Sequence, residues 1–389
     1  MLTDVEKQAF YQKITKEWHL GYFYAHDNVP LHFIYKDRVL QGKFTDLEKR
    51  NKKITEEIWL DAYNYFSICN IYYEFIFRPS YPLQIKSLQM PLQAFMYSKP
   101  RPISEEIDDK RPYFTAEQLR EKLDAWMEKE GWKLLNERRQ QPSVNYSEWA
   151  ILLGAPDRTM HLVSVIPVGN FVIMEAIVSW TDARILKETA YAGVILYDTD
   201  GTVLVDRDYM DIINWPSVIG GKLEERQKKE KDAFHNAQKP GELEVFLTRY
   251  NNRRIVEKLD DIEKRNKEII ERRWADAHNN LDFSLFHPER YRVQLPLQKL
   301  SFNIEISKEL ESNIKKSTPD CNTRAINVYA KGNQVVAEGI MSWTEKGIYK
   351  ESPFISLLLF DKDGLIIRER NYFNLAHWPG ADEIIRITG

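Results

Sequence analysis

The chain reads as an α+β protein built twice in tandem, and three observations lead there. The stretch DLEKRNKKITEEIWLDAYN from Asp46 to Asn64 returns as DIEKRNKEIIERRWADAHN from Asp261 to Asn279, without a gap and 215 residues further on. GNFVIMEAIVSWTDARILKE from Gly169 returns as GNQVVAEGIMSWTEKGIYKE from Gly332, 163 residues on, and the same offset joins Trp215-Pro216 to Trp378-Pro379 and Pro156-Asp157 to Pro319-Asp320. Within each copy, helical spacing comes first and short apolar or alternating runs broken by turn residues come later, which is the order of a segregated helix-and-sheet domain.

The elements follow in order. Residues 1–45 precede the repeat as an N-terminal arm. In the first helix Leu47, Asn51, Ile54, Ile58 and Ala62 step by three and four along one face, the stripe of an amphipathic helix that needs a sheet to cover it. The fall in offset from 215 to 163 leaves 52 extra residues in the first copy, placed at about 96–150. There SKPRPISEEIDDKRP has the composition of an exposed loop, and TAEQLREKLDAWMEKEGW that of a helix. Thr115 and Gln118 make a capping-box pattern, Leu119, Leu123 and Trp126 share a face, and Gly131 ends the run. QMPLQ at Gln89–Gln93 and QLPLQ at Gln294–Gln298 should open a strand or mark an edge bulge, because proline lacks the donor a central strand uses. VIMEAIVSW, AGVILYDTDG and TVLVDRDYM in the first copy, with VVAEGIMSW, FISLLLFDKDG and LIIRERNYF in the second, predict antiparallel hairpins turning at Gly201 and Gly364. Between the copies, 220–258 reads as a solvated, charged linker helix (KLEERQKKEKDAF) and a turn (QKPGE). The domains are therefore 46–219 and 259–389.

Composition excludes several function classes. Hydrophobic residues are 43% and charged residues 29% of the chain, and no run of about 18 apolar residues is available to span a bilayer. The opening MLTDVEKQAFYQ places Asp4, Glu6 and Lys7 where a secretory signal needs an apolar core, so the expectation is a cytoplasmic protein. Cys69 and Cys321 are too few for a disulfide framework and lie at no zinc-ligand spacing. With 55 basic and 58 acidic residues, the net charge of −3 offers no basic field for nucleic acid. His278, His287 and His377 form no metal spacing, and GxGxxG, Walker and GxSxG patterns are missing, so no metal, no nucleotide cofactor and no serine-hydrolase chemistry is expected.

A helix carrying LxKRN, a Pro-Asp before a strand, a Gly-Asn turn into a Val/Glu-bearing strand, and a long hairpin whose second arm reads RDYMD or RNYFN resemble the nuclear transport factor 2-like superfamily. Within it the chain is most similar to the phenazine-biosynthesis A/B proteins, and more loosely to SnoaL-like polyketide cyclases. The likeness covers 46–66, 155–219, 261–280 and 318–380. It implies two tandem conical α+β barrels, each a curved antiparallel sheet wrapped around helices to leave a cavity. It also implies packing as an internal pseudo-dimer, with further homo-oligomerisation open. Because that superfamily hosts isomerases, dehydratases, cyclases, hydrolases and binding modules, fold alone does not fix function.

The resemblance puts Asp208, within Arg207-Asp208-Tyr209-Met210-Asp211, at the acidic position of the phenazine proteins' final strand, with Asn371 opposite it in the second copy. Alternation gives an independent reading: Val203, Val205, Arg207 and Tyr209 share one face, and Leu204, Asp206, Asp208 and Met210 the other. If the second face lines the cavity, neighbouring charge and burial raise one acid's pKa; if it faces water, these are surface acids. Glu175 and Glu338, each set among apolar residues, line cavities, form a salt bridge with Arg207 or Arg370, or lie on an exposed sheet face. His161 is a partner base or a solvated edge residue, and the second copy has Arg324 in its place. Substrate contacts are expected from Tyr209, Met210 and Trp180 in the first copy and from Glu338, Glu369, Asn371 and Trp343 in the second. The functional expectation is a cofactor-free acid/base enzyme of isomerase, dehydratase or cyclase type, acting on a small aromatic or polyketide-like intermediate of secondary metabolism. Asp208 would transfer the proton and Glu175 or Asp206 would tune it. The rival reading is a non-catalytic small-molecule-binding or assembly module. Catalysis predicts a working first cavity and a degenerate second one, because an amide cannot exchange a proton at neutral pH.

Overall fold

Two sheets carry the described residues. In a computed structural model, residues 42–60, 159–182, 185–201, 203–210, 240–255, 258–374 and 377–379 are described. The arm before residue 42, the 96–150 insertion, Gln89–Gln93, Cys69, Trp215-Pro216 and the charge run from Lys222 lie outside the described residues. Strands β1 (Thr159–Val168), β2 (Phe171–Asp182), β3 (Ile185–Tyr197) and β4 (Val203–Tyr209) form an antiparallel meander in that order. β5 (Arg292–Leu295), β6 (Leu300–Asn303), β7 (Asn322–Lys331), β8 (Gln334–Glu345), β9 (Ile348–Phe360) and β10 (Ile366–Tyr372) form a six-stranded sheet in the order β6-β5-β10-β9-β8-β7. Each of β7 to β10 has the length of its counterpart among β1 to β4 and starts 163 residues later. The bulges recur at matching places too, Leu162/Ser164 with Ala325/Asn327. One expectation needs correcting: β5 pairs with β10 in parallel, so the second sheet is mixed.

The α-helices among the described residues are α1 (Asp46–Lys53), α2 (Glu242–Thr248), α3 (Asp261–Ile269), α4 (Ala275–Asn280) and α5 (Ile304–Ser317), with π-helical turns at Ile54–Trp59 after α1 and Ile270–Trp274 between α3 and α4. α1 and α3 open on capping boxes, Thr45 with Glu48 and Asp260 with Glu263, which satisfy the orphan N–H groups at their starts. The same glutamates reach the neighbouring sheet. Glu48 accepts from the Gly169 N–H at 3.2 Å and Glu263 from the Gly332 N–H at 2.9 Å, so each helix start is pinned to the Gly-Asn turn of its half. Arg50 and Arg265 extend to the backbone carbonyls of the DTDG and DKDG turns, Thr199 in one half and Lys362 in the other. The KRN repeat is thus explained by helix-to-hairpin docking.

That pinning adds buried polar residues beside the predicted stripe, of which Asn51 is buried and Ile54 packs on the first half's core. Glu48, Asn51 and Thr55 are buried on the first helix, Leu47 is half-buried, and Ile262, the match of Leu47, is exposed. The cap glutamate turns the helix so that a polar row faces the sheet, where Thr55 Oγ1 lies 2.7 Å from Tyr197 Oη. QLPLQ is a second correction. β5 ends at Leu295, and Pro296–Gln298 is a 3₁₀ turn leading to β6, so the proline closes a strand rather than opening one. The linker departs as well: after the turn at Gly241 (φ 84°), α2 follows, and Asn170 clamps the next segment through the Arg253 carbonyl and the Ile255 N–H. No described helix is long and apolar enough to cross a membrane.

Three apolar clusters divide the interior. One lies between β1–β4 and α1, around Met174, Tyr191 and Tyr197; another between β5–β10 and α3–α5, around Trp274, Phe354 and Phe360. The third joins the sheets' other faces, Ile173, Ala192 and Val194 of the first half meeting Val336, Ile355 and Leu357 of the second.

Candidate functional site

The predicted residues sort into three places. Glu175, Glu338 and Tyr209 lie at the contact between the halves. Arg207 donates to Glu338 from Nε at 2.6 Å and from Nη2 at 2.7 Å, and Tyr209 Oη donates at 2.8 Å. Residues 163 positions on reproduce this in reverse, with Arg370 Nε at 2.6 Å and Tyr372 Oη at 2.8 Å from Glu175. All six side chains are buried. Glu338 also accepts from Tyr329 Oη at 2.7 Å and Asn327 Nδ2 at 3.1 Å. For Arg207, burial favours the neutral form, but the Glu338 carboxylate outweighs it and raises the pKa. Of the alternatives left open for Glu175, the structure shows the salt bridge, with Arg370 as the partner.

The second place is the helix side of the first sheet. Asp208 accepts a short hydrogen bond from Tyr191 Oη. Gly193, the register partner of Asp208, makes that crossing feasible: a Cβ there would come within 2.7 Å of the Tyr191 oxygen. Asp208 keeps accessible surface, yet its surroundings strip enough water from the carboxyl to raise its pKa, against the lowering pull of the Tyr191 hydroxyl. Asp206 is half-buried beside Tyr197, whose phenol is raised by burial, with the Asp206 charge adding to it. Trp180 and Met210 pack on the same side. Alternation therefore assigns Arg207 and Tyr209 to one face and Asp206 and Asp208 to the other, as expected. Val203 and Leu204 are the exceptions, since a register shift at Leu196/Tyr197 turns Val203 to the helix side and Leu204 to the contact between the sheets. His161 is exposed on the edge strand β1, the solvated alternative.

The third place is a cavity of about 110 Å³ in the second half, between α4, α5 and the sheet. Trp274, Phe354, Phe373 and Trp378 supply aromatic wall, and Leu295, Leu310 and Met341 aliphatic wall. Trp378 stacks on Phe373 at 4.0 Å between centroids and meets Phe354 edge-on at 5.7 Å. Two expected residues belong here, Glu369 and Asn371, which alternate with Arg370 and Tyr372 along β10. Glu369 is fully buried and receives Tyr291 Oη at 2.9 Å, Asn371 Nδ2 at 3.1 Å and Trp274 Nε1 at 3.5 Å. Asn371 accepts in turn from Ser356 Oγ. Trp343 is buried on β8 and is not part of the cavity wall.

Sequence reasoning missed the residue that completes this wall. His278, one helical turn past Trp274, places Nδ1 3.1 Å from Glu311 Oε2 and Nε2 3.4 Å from Glu369 Oε1. Burial alone would lower its pKa; Glu311 and Glu369 overcome that and hold it well above the ordinary histidine value. Reciprocally, burial pushes Glu369 up, but His278 and the donors from Asn371 and Tyr291 leave it below the usual glutamate range. The pair is an imidazolium–carboxylate at neutral pH. The Cys321 thiol on the same wall is pushed up to about 11 by burial and stays protonated. Among the described residues, no group of His, Cys, Asp and Glu side chains is arranged to hold a metal ion.

No family model and no curated protein matches the chain. Solved structures that align with part of it include a SnoaL-like polyketide cyclase from Jannaschia sp. CCS1, 17% identical, covering 31% of this chain and 92% of its own, with a TM-score of 0.25. A protein with a ketosteroid isomerase-like fold from Catenulispora acidiphila DSM 44928, in complex with trimethylamine, is 16% identical over 32% of this chain and 98% of its own, with a TM-score of 0.25. An LEH-like epoxide hydrolase from M. tuberculosis is 14% identical over 32% and 92%, with a TM-score of 0.26.

Proposed function

We propose that the chain is a cofactor-free acid/base enzyme acting on a small ring-bearing molecule, and that its working cavity is the one in the second half. Under this reading the chain is a tandem duplication of a conical α+β barrel whose halves pack as an internal pseudo-dimer. The reciprocal Arg207–Glu338 and Arg370–Glu175 bridges support that packing. The observation that carries the functional reading is the His278–Glu369 pair set into an aromatic cavity wall. A charged proton donor beside a fixed carboxylate in an apolar enclosure is the arrangement general acid catalysis needs. It reverses the division of labour that the Asp208/Asn371 difference implied. The second half lacks an acid where Asp208 stands, but Glu369 two residues earlier and His278 from the helix supply the titratable pair.

A specific observation keeps a role for the first half: the Tyr191–Asp208 hydrogen bond joins a raised carboxyl to a phenol on a partly accessible surface. Asp208 is the proton-transfer group of that second reading. A panel of single-ring alcohols, ketones and epoxides, followed by mass spectrometry, tests both. His278→Gln should lower turnover by roughly 10²–10⁴, the usual share of one acid/base group, and Asp208→Asn should do so only if the first half also works. Tight binding across the panel with no turnover, unchanged in either variant, would instead select the binding-module reading.

A further inference from the structure

The titratable groups of the second cavity differ in access. Helix α5 turns one stripe to that cavity, Ser307, Leu310, Glu311, Ile314 and Lys315, spaced by three and four. An acid in the middle of such a stripe is costly unless it is paired or reached by a polar molecule. Glu311 is paired at one oxygen only: Oε2 lies 3.1 Å from His278 Nδ1, and among the described residues no protein donor reaches Oε1. Its side chain keeps 20% of its surface, against 1% for Glu369. The neighbouring groups are closed to a ligand's proton. His278 Nε2 is sealed and directed at Glu369, which in turn receives Tyr291, Asn371 and Trp274. Lys315 Nζ is turned to the Cys321 carbonyl.

Resting on the reading of this cavity as the functional site, we propose that Glu311 is its catalytic residue, exchanging the proton with the ligand through Oε1, and that His278 is a positioning residue that acts through it. This moves the transferred proton of that reading from His278 to Glu311. The step balances within the site. The Glu311 carboxylate takes a proton from the ligand, and the electron pair of the broken bond stays on the ligand. Glu311 then returns a proton to another atom of the ligand and is a carboxylate again. His278 keeps its own proton throughout. Its Nδ1–H holds Oε2, which fixes the carboxylate and leaves the other oxygen for the ligand, while Glu369 orients the ring from its far side. Because the cavity is half open, Glu311 can also trade its proton with water between the two transfers.

Hydrogen exchange in heavy water tests this on the full chain, with cyclohexanone, cyclopentanone and acetophenone as probes and proton NMR as the readout. The wild type should speed deuterium incorporation next to the carbonyl. Glu311→Gln, its fold verified by thermal unfolding, should slow that by roughly 10²–10⁴, the usual share of one acid/base group. Adding His278→Gln to Glu311→Gln should cost nothing more, because a residue that acts through another has no effect once the other is gone. Glu311→Ala should regain part of the rate with added formate, a carboxylate small enough to enter a half-open cavity, and His278→Gln should not. Exchange kept in Glu311→Gln and lost in His278→Gln would return the proton to His278 and overturn this proposal alone. A double variant slower than Glu311→Gln by the full factor of His278→Gln would overturn the positioning role. No exchange of any probe by the wild type, or exchange unchanged in both single variants, would overturn the reading of this cavity as well.

Discussion

His278 and Asp208 titrate in opposite structural settings, and stability should register the difference. His278 has a folded pKa above its unfolded value, so its contribution is fully present below the ordinary histidine range and is lost as pH rises through the raised value. Glu369 is depressed, so its contribution is present above the ordinary glutamate range and is lost as pH falls through the lowered value. Thermal unfolding across pH should therefore show a plateau bounded on both sides, and His278→Gln should erase the alkaline limb. Glu369→Gln should cost about 1–3 kcal/mol, because it removes one of the two carboxylates that face His278 and leaves Glu311. Asp208 is raised, so the folded state gains as pH falls through that value and is penalised above it. Asp208→Asn should then melt no lower than wild type at pH 7 by calorimetry. Of these residues, Asp208, Glu369 and Asn371 were legible because strand alternation fixes a face two residues at a time. His278 was not. It stands where the first copy has Tyr63, and comparing copies draws attention to identities while the chemistry here sits at a difference.

At the scale of elements, two glycines separate the sheets. A Cβ on Gly193 would press on the far ends of Met174 and Tyr191, both at 2.7 Å, whereas one on Gly339 would meet the Arg324 carbonyl at 2.6 Å and the Phe354 ring at 2.4 Å. Backbone cannot swing aside. Gly339→Ala should cost about 1–3 kcal/mol or more by denaturant melts, and Gly193→Ala less, its main effect being displacement of the Tyr191 hydroxyl from Asp208. Hairpins and turns were plain in the sequence because Gly201 and Gly364 adopt φ of 93° and 86°, where glycine is favoured. The helix stripe was legible at Asn51 and Ile54, but periodicity weighs apolar residues and passes over Glu48 and Thr55, which are buried through hydrogen bonds. The parallel pairing of β5 with β10 left no local signal, since register between distant strands is settled by packing.

For the whole molecule, the interface between the sheets is polar at its centre and apolar around it. The apolar neighbours of Glu175 and Glu338 left their surroundings open; only the assembled chain shows that the body covering them is the other half. Glu338→Gln should destabilise the protein by about 3–5 kcal/mol, and more than Glu175→Gln, since Tyr329 and Asn327 also depend on Glu338, whereas Ile166, the match of Tyr329, has no polar side chain to bond Glu175. Equal urea midpoints for the two variants would show that these extra donors carry no weight. The crossed bridges also set a timetable during synthesis. Arg207 waits for Glu338, 131 residues later, and Glu175 for Arg370, 195 residues later. At roughly 5–20 residues per second, Glu175 stands without its cation for about 10–40 s as the chain leaves the ribosome. The first sheet therefore reaches its final state only when β10 emerges, and until then its inner face lacks the cation and the apolar cover that the second half brings.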